Sequence, residues 1–251
     1  MDEPVAVVGD VLRTLDLVGV LANGLLGGVV ARRFGMDPVG IAVLAVISAL
    51  GGGAIRDVLL DQRPAAVDDP LYLTVALGAA AVAFLVPMDG RRWRQVFPWV
   101  DAAALGTWAV AGTEKSLIAG VSPLPAILLG VLTAVGGGAV RDVILGQVPT
   151  IFRRSELYAT CAFVAGVALV LLREGGAGVW AAPVAAAVGM WLCLLARHKG
   201  WVLPTEPRLP RTWAVGAGNR AGATSAKGVN RRNRSRGSTA RPARRRWRRP
   251  D

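Results

Sequence analysis

Long apolar stretches alternate with short runs of charge and turn-forming residues along the first 196 residues of the chain. Seven of them approach the roughly 20 residues a helix needs to cross a bilayer. They span about 12–31, 38–60, 70–87, 98–117, 123–145, 156–172 and 178–196. Arg32-Arg33 to Pro38, Asp68-Asp69-Pro70, Asp89 to Arg94, Ser122-Pro123, Arg153-Arg154 and Arg173 to Gly178 punctuate the series. The pattern predicts an all-α membrane protein with seven transmembrane helices.

The chain also repeats itself. Shifted by 85 positions, Gly51-Gly52-Gly53-Ala54-Ile55-Arg56-Asp57 and its continuation to Pro64 fall on Gly136-Gly137-Gly138-Ala139-Val140-Arg141-Asp142 and its continuation to Pro149, with 10 of 14 positions identical. The same offset pairs Asp16 with Asp101, Gly27 with Gly112, Gly35 with Gly120 and Pro38 with Pro123, and gives 17 identities over the 49 residues from 16 to 64. Each copy holds three spans. Three is odd, so the second copy enters the membrane from the opposite face, which makes two inverted three-helix repeats plus a seventh helix, an architecture common in transporters. The expected organisation is 10–95 for the first repeat, 96–176 for the second, 177–198 for the seventh helix and 199–251 for a basic tail.

Charge sharpens the topology. Residues 1–196 carry 13 Lys+Arg against 15 Asp+Glu, whereas residues 197–251 carry 16 against 2, so the net charge of +12 belongs to the tail. The tail's Pro, Gly, Ser, Asn and Arg cannot bury a core, and it is expected to be disordered. Its partners are expected to be anionic lipid headgroups of the membrane, worth about 1 kcal/mol per basic residue near the surface, with nucleic acid the weaker expectation and a merely solvated tail the plainest one. Placing the basic tail in the cytoplasm also places Arg32/Arg33, Arg91/Arg92/Arg94 and Arg153/Arg154 there, so the N-terminus is expected outside the plasma membrane. The acidic Met-Asp-Glu-Pro start does not resemble a cleaved signal peptide.

Several chemistries are excluded. His198 is the only histidine, and Cys161 and Cys193 both lie in apolar runs, so no metal site or disulfide framework is suggested. No nucleophile–base pair or phosphate-binding loop is present in the membrane core. No catalytic residue, metal or cofactor is expected; the chain does not read as an enzyme.

The candidate chemistry sits in the spans. Gly51, Gly52 and Gly53 in span 2, and Gly136, Gly137 and Gly138 in span 5, each cost a helix about 1 kcal/mol relative to Ala. They are expected to bend or unwind it. Broken backbone at membrane depth is tolerable against protein or a wet cavity, where its carbonyls can replace an ion's hydration shell; the alternative is close helix packing through small residues. Ser48 and its counterpart Thr133 are candidate pore-lining polar groups. Arg56-Asp57 and Arg141-Asp142 are costly in apolar sequence unless paired. Neighbours on a helix point about 100° apart, so their partners are expected elsewhere, with Asp16 and Asp101 the candidates. These charges form either structural salt bridges or direct ion contacts. Lys115 lies near the end of span 4, where its stem can snorkel to the interface or respond to voltage.

The doubled Gly-Gly-Gly-Ala-(Ile/Val)-Arg-Asp-Val motif, each copy ending in Gln-x-Pro, with Asp101 to Lys115 leading into the second, resembles the bacterial branch of the trimeric intracellular cation (TRIC) channel family, also known as a glycine transporter domain. The resemblance covers about residues 10–195, and the first copy lacks a counterpart of Lys115. It implies a homotrimer with one pore per protomer, passing monovalent cations, chiefly K+. It also implies that spans 2 and 5, kinked at the six glycines, line that pore, and that Lys115 matches a basic residue linked to gating. A carrier for a small zwitterion such as glycine is the competing expectation, and a non-transporting scaffold would leave the duplicated glycines and buried charges unexplained.

Overall fold

The computed structural model describes residues 3–86, 88, 90–152 and 157–202, with the side chains of 3–8 and 92 excluded. The tail beyond 202 and the Arg153-Arg154 pair lie outside the described residues. Every regular element within them is helical: α1 (Glu3–Arg33), α2 (Pro38–Leu59), the single-turn α3 (Ala65–Asp68), α4 (Pro70–Leu85), α5 (Arg91–Ile118), α6 (Pro123–Ile144), α7 (Tyr158–Glu174) and α8 (Ala181–Lys199), with short 3-10 turns at Thr150–Phe152 and Gly178–Trp180.

Local chemistry sets the boundaries and repeats them at the same offset. Asp37 opens α2 by accepting the Gly40 N–H at 2.7 Å, with Pro38 at the first helical position, where its missing N–H costs nothing. Pro123 takes the same first position in α6, there without a side-chain cap from Ser122. Gly35 and Gly120 turn the chain with φ of 69° and 83°, a left-handed conformation open to glycine. α1 and α5 start well before their apolar stretches, at Glu3 and Arg91, so Asp16 and Asp101 lie inside long helices and not at the ends of spans.

The seven-span expectation is met in part. Gly9–Arg33, Pro38–Leu59, Pro123–Ile144 and Gly178–Lys199 are long and apolar enough to cross a membrane, and Pro70–Leu85 is apolar but shorter. α5 is diluted by Asp101, Glu114 and Lys115, and α7 has 17 residues.

The helices pack with inverted polarity. Leu21, Leu73, Leu77, Phe84, Trp99, Leu128, Val188 and Trp191 are exposed, while Asp16, Asn23, Ser48, Arg56, Asp57, Glu114, Thr133 and Asp142 are buried. An apolar outside over a polar inside is what lipid selects and water does not. The chain is a multi-pass membrane protein. Alanine dominates the contacts, with Ala45, Ala49, Ala76, Ala79, Ala109 and Ala185 fully buried, as close helix approach without a hydrophobic drive requires. α1, α2 and α4 pack as one group and α5, α6 and α7 as another; the groups meet through α2 against α6 and α1 against α5, and α8 closes on α5 and α7.

Candidate functional site

The two glycine triplets meet where α2 crosses α6. Both helices run through them without interruption, so the expected unwinding at Gly51–Gly53 and Gly136–Gly138 is corrected: no helix break occurs. The glycines serve approach instead. A methyl group on Gly52 would fall on the Thr133 carbonyl oxygen, and one on Gly137 on the Ser48 carbonyl oxygen. One on Gly136 would stand 3.2 Å from the Gly52 Cα, and one on Gly51 3.6 Å from the Gly137 Cα. Backbone presses on backbone, and helical hydrogen bonds survive because each helix fills the space the other leaves.

Ser48 and Thr133 are fully buried beside this crossing, facing away from it. A methyl on Gly27 would meet the Ser48 Cβ at 2.6 Å, and one on Gly112 the Thr133 hydroxyl at 2.6 Å. They sit in the α1/α2 and α5/α6 contacts, apart from the charged cavities. Thr133 spends its hydroxyl on the Leu129 carbonyl at 2.7 Å, whereas the Ser48 hydroxyl has no partner.

The last glycine of each triplet lies alongside an arginine terminus. Arg56 Nη2 passes 3.7 Å from where a Gly53 methyl would stand, and Arg141 Nη2 stands 3.7 Å from that of Gly138. Each arginine folds back onto its own neighbour: Arg56 Nη2 lies 2.6 Å from Asp57 Oδ1, and Arg141 Nη2 2.8 Å from Asp142 Oδ1. The expected pairing with Asp16 and Asp101 is therefore corrected. Neighbouring positions on a helix do diverge, but the arginine stem is long enough to fold back onto the adjacent carboxylate. The other oxygen of each aspartate accepts a backbone N–H eight residues on, Ala65 at 3.0 Å and Thr150 at 3.1 Å. Each Arg-Asp pair thus ties the end of its helix to the loop that follows.

Asp16 and Asp101 find other cations and a tyrosine each. Asp16 accepts from Tyr72 at 3.0 Å and pairs with Lys115 at 2.6 Å; Asp101 accepts from Tyr158 at 2.9 Å and pairs with Arg197 at 2.8 Å. Lys115 therefore turns inward, its ammonium 5.8 Å from the Tyr72 ring centre, and does not snorkel outward. Tyr72, Tyr158 and Arg197 were not foreseen. The tyrosines lie 86 residues apart, one off the gap-free offset, which hid them; Arg197 belongs to the unpaired last helix.

Two roomy cavities border this network. One of about 440 Å³ is bounded by Asp101, Arg141, Tyr158 and Arg197. One of about 360 Å³ is bounded by Asp57, Asp69, Tyr72 and Lys115. Both are charged recesses within a bundle whose outer face is apolar, and both are roomy enough for water.

Comparison with known proteins bears on this arrangement. The family model described as "Glycine transporter" matches the chain twice, at residues 13–88 and 98–174. The chain belongs to this family. The two Glycine transporter matches coincide with the two packed helix groups, α1 to α4 and α5 to α7. Among relatives, the chain is 38% identical over 155 residues to the UPF0126 inner membrane protein YadS of Escherichia coli K12, covering 61% of this chain and 74% of that protein. It is 36% identical over 201 residues to a UPF0126 membrane protein of Deinococcus radiodurans, covering 79% and 93%. The fold is similar to that of the TRIC trimeric intracellular cation channel orthologue from Rhodobacter sphaeroides, with a TM-score of 0.67 and 34% identity over 76% of this chain and 96% of that one.

Proposed function

We propose that the chain is a monovalent cation channel, passing chiefly K+, in the plasma membrane, that it assembles as a homotrimer, and that each protomer carries its own path. One observation carries the reading: the charged recess of about 440 Å³ is built by helices of one protomer, inside an apolar shell. The similarity to a trimeric cation channel orthologue points the same way. α2 and α6 line the path, as unbroken helices crossing at their glycines. The six glycines set the distance between those helices, Asp16 and Asp101 with their partners hold the surrounding elements, and Lys115 is the candidate gating charge.

The contacts at the crossing support two inverted repeats, 10–95 and 96–176, followed by a seventh helix at 177–198. Gly52 meets Thr133 while Gly137 meets Ser48, so position rises on one helix as it falls on the other, and exchanging the repeats exchanges the contacts. Antiparallel mates of this kind need a two-fold axis across the helices and not along them. The bias of basic residues supports an outside N-terminus and a cytoplasmic tail at 199–251, in reach of anionic headgroups.

A carrier for a small zwitterion such as glycine is the second reading, favoured by a recess that presents carboxylate and guanidinium groups together. Planar bilayers with asymmetric KCl separate the two. The channel reading expects unitary currents reversing near the K+ potential; saturable glycine uptake into liposomes without such currents would reverse the ranking.

A further inference from the structure

The repeat builds the same chamber twice, and only one copy is open. Beside the 440 Å³ recess, which the second repeat lines with Asp101, Ala134, Gly138 and Arg141, the first repeat lines a second cavity with the counterparts Asp16, Ala49, Gly53 and Arg56. That second cavity measures about 20 Å³, room for about one water molecule. Leu50, Ala65 and Ala66 likewise answer to Val135, Thr150 and Ile151; the exchange that differs most in bulk is Asn23 of α1 in the open chamber against Trp108 of α5, 85 residues on, in the closed one.

Trp108 is held as a plug would be. Its indole is 1% exposed and spans from α5 to both facing helices. It occupies a slot that Gly19 of α1 leaves free, where a methyl would fall on the ring, and its Cζ3 lies 3.5 Å from where a Gly137 methyl of α6 would stand. A single 3.3 Å hydrogen bond to the Asp16 carbonyl fixes it. A second observation marks the closed chamber as one built for water. Arg56 is 1% exposed, and its Nη1 has no hydrogen-bond partner. A buried guanidinium N–H left unpaired is costly, whereas its counterpart Arg141 borders the open recess. The closed chamber also shares Asp57, Ala65 and Tyr72 with the 360 Å³ recess, so it lies between that recess and the helix crossing.

We propose that Trp108 is the residue that shuts the path: the structure is a closed state, and conduction requires the indole to leave the first-repeat chamber, which then takes water and the cation as the Asn23 chamber does. This rests on the channel reading, and the test separates the two. Full-length protein is reconstituted with Trp108→Asn, which installs the repeat's own alternative, and with Asn23→Trp, which adds the plug to the open side. In planar bilayers, W108N raises open probability about tenfold, a modest population shift, and N23W silences the channel.

The second readout needs no current. In a background with Cys161→Ala and Cys193→Ala, a charged methanethiosulfonate reagent labels A134C, in the open chamber, but not A49C, in the closed one; adding W108N makes A49C reactive, and adding N23W protects A134C. Equal labelling of A49C and A134C with Trp108 in place overturns the proposal, as does W108N assembling without altering either readout. Where W108N fails to assemble, N23W carries both arms. Silent bilayers with the labelling pattern intact overturn the channel reading and leave the plug standing.

Discussion

At the crossing of α2 and α6 the two repeats are nearly interchangeable; a few residues away, in the chambers, they are not. Gly52 and Gly137 meet matching carbonyls, and Asp57 and Asp142 bind matching loop amides at 3.0 and 3.1 Å. The flanking chambers differ more than twentyfold in volume. The crossing is backbone against backbone, so any added atom is felt at once, whereas a chamber wall tolerates a change of side chain as long as something fills or wets the space. Sequence identity between the repeats is therefore highest where packing allows no choice.

The strongest way to break this comparison is inside the triplets themselves. Gly52→Ala or Gly137→Ala forces a methyl onto a carbonyl oxygen and is expected to cost about 3 kcal/mol, the upper range for overpacking. Gly53→Ala and Gly138→Ala meet only an arginine terminus at 3.7 Å. Since alanine is about 1 kcal/mol better than glycine within a helix, these two are expected to be neutral or stabilising. Thermal denaturation of the detergent-solubilised protein reads the order. Equal losses at 52 and 53 would mean that the triplet acts through flexibility and not through approach.

A smaller effect distinguishes the acidic residues. Asp16→Asn strips the counter-charge from Lys115, which borders the 360 Å³ recess, at a carboxylate that is itself only 5% exposed. Asp101→Asn does the same to Arg197, which borders the 440 Å³ recess, at a carboxylate that is 14% exposed. Breaking a fully buried pair costs about 3–5 kcal/mol; partial exposure reduces this to about 2 kcal/mol for D16N and about 1 kcal/mol for D101N. The same melting series measures both. A larger loss for D101N would mean that burial of the carboxylate does not set the cost.

Much of this arrangement was legible in the residues. The period of 85 positions located both triplets, both Arg-Asp pairs and both bundle-facing aspartates, Asp16 and Asp101, because these positions are fixed by backbone contact or by the cost of a buried charge. Partner identity was not legible. A long arginine stem can fold back on its own neighbour as readily as reach across helices, and Arg56 pairs with Asp57. The sequence of α5 alone points Lys115 outward; the acceptor that draws it inward, Asp16, is 99 residues away. Asn23 and Trp108 share no chemistry, and only the offset relates them.

The smallest expected effect concerns how the third helix of each repeat begins. Asp69 caps α4 by accepting the Leu71 N–H at 3.0 Å, while α7 starts at Leu157 with no side-chain cap. The Leu71 N–H, with lesser help from Arg13, holds the Asp69 carboxyl below its ordinary value of 3.8. A carboxylate with a depressed folded value stabilises above the unfolded value and loses that contribution as pH falls through the folded one. Asp69→Ala is therefore expected to lower the melting temperature slightly above about pH 5, with the difference closing in stronger acid. Arg13→Ala is expected to leave it unchanged, because the Arg13 side chain is 52% exposed and its 2.6 Å pair is screened by water. If R13A instead matched D69A at every pH, the ion pair and not the helix cap would hold α4 in place, and the first repeat would differ from the second by a charge contact and not by the start of its helix.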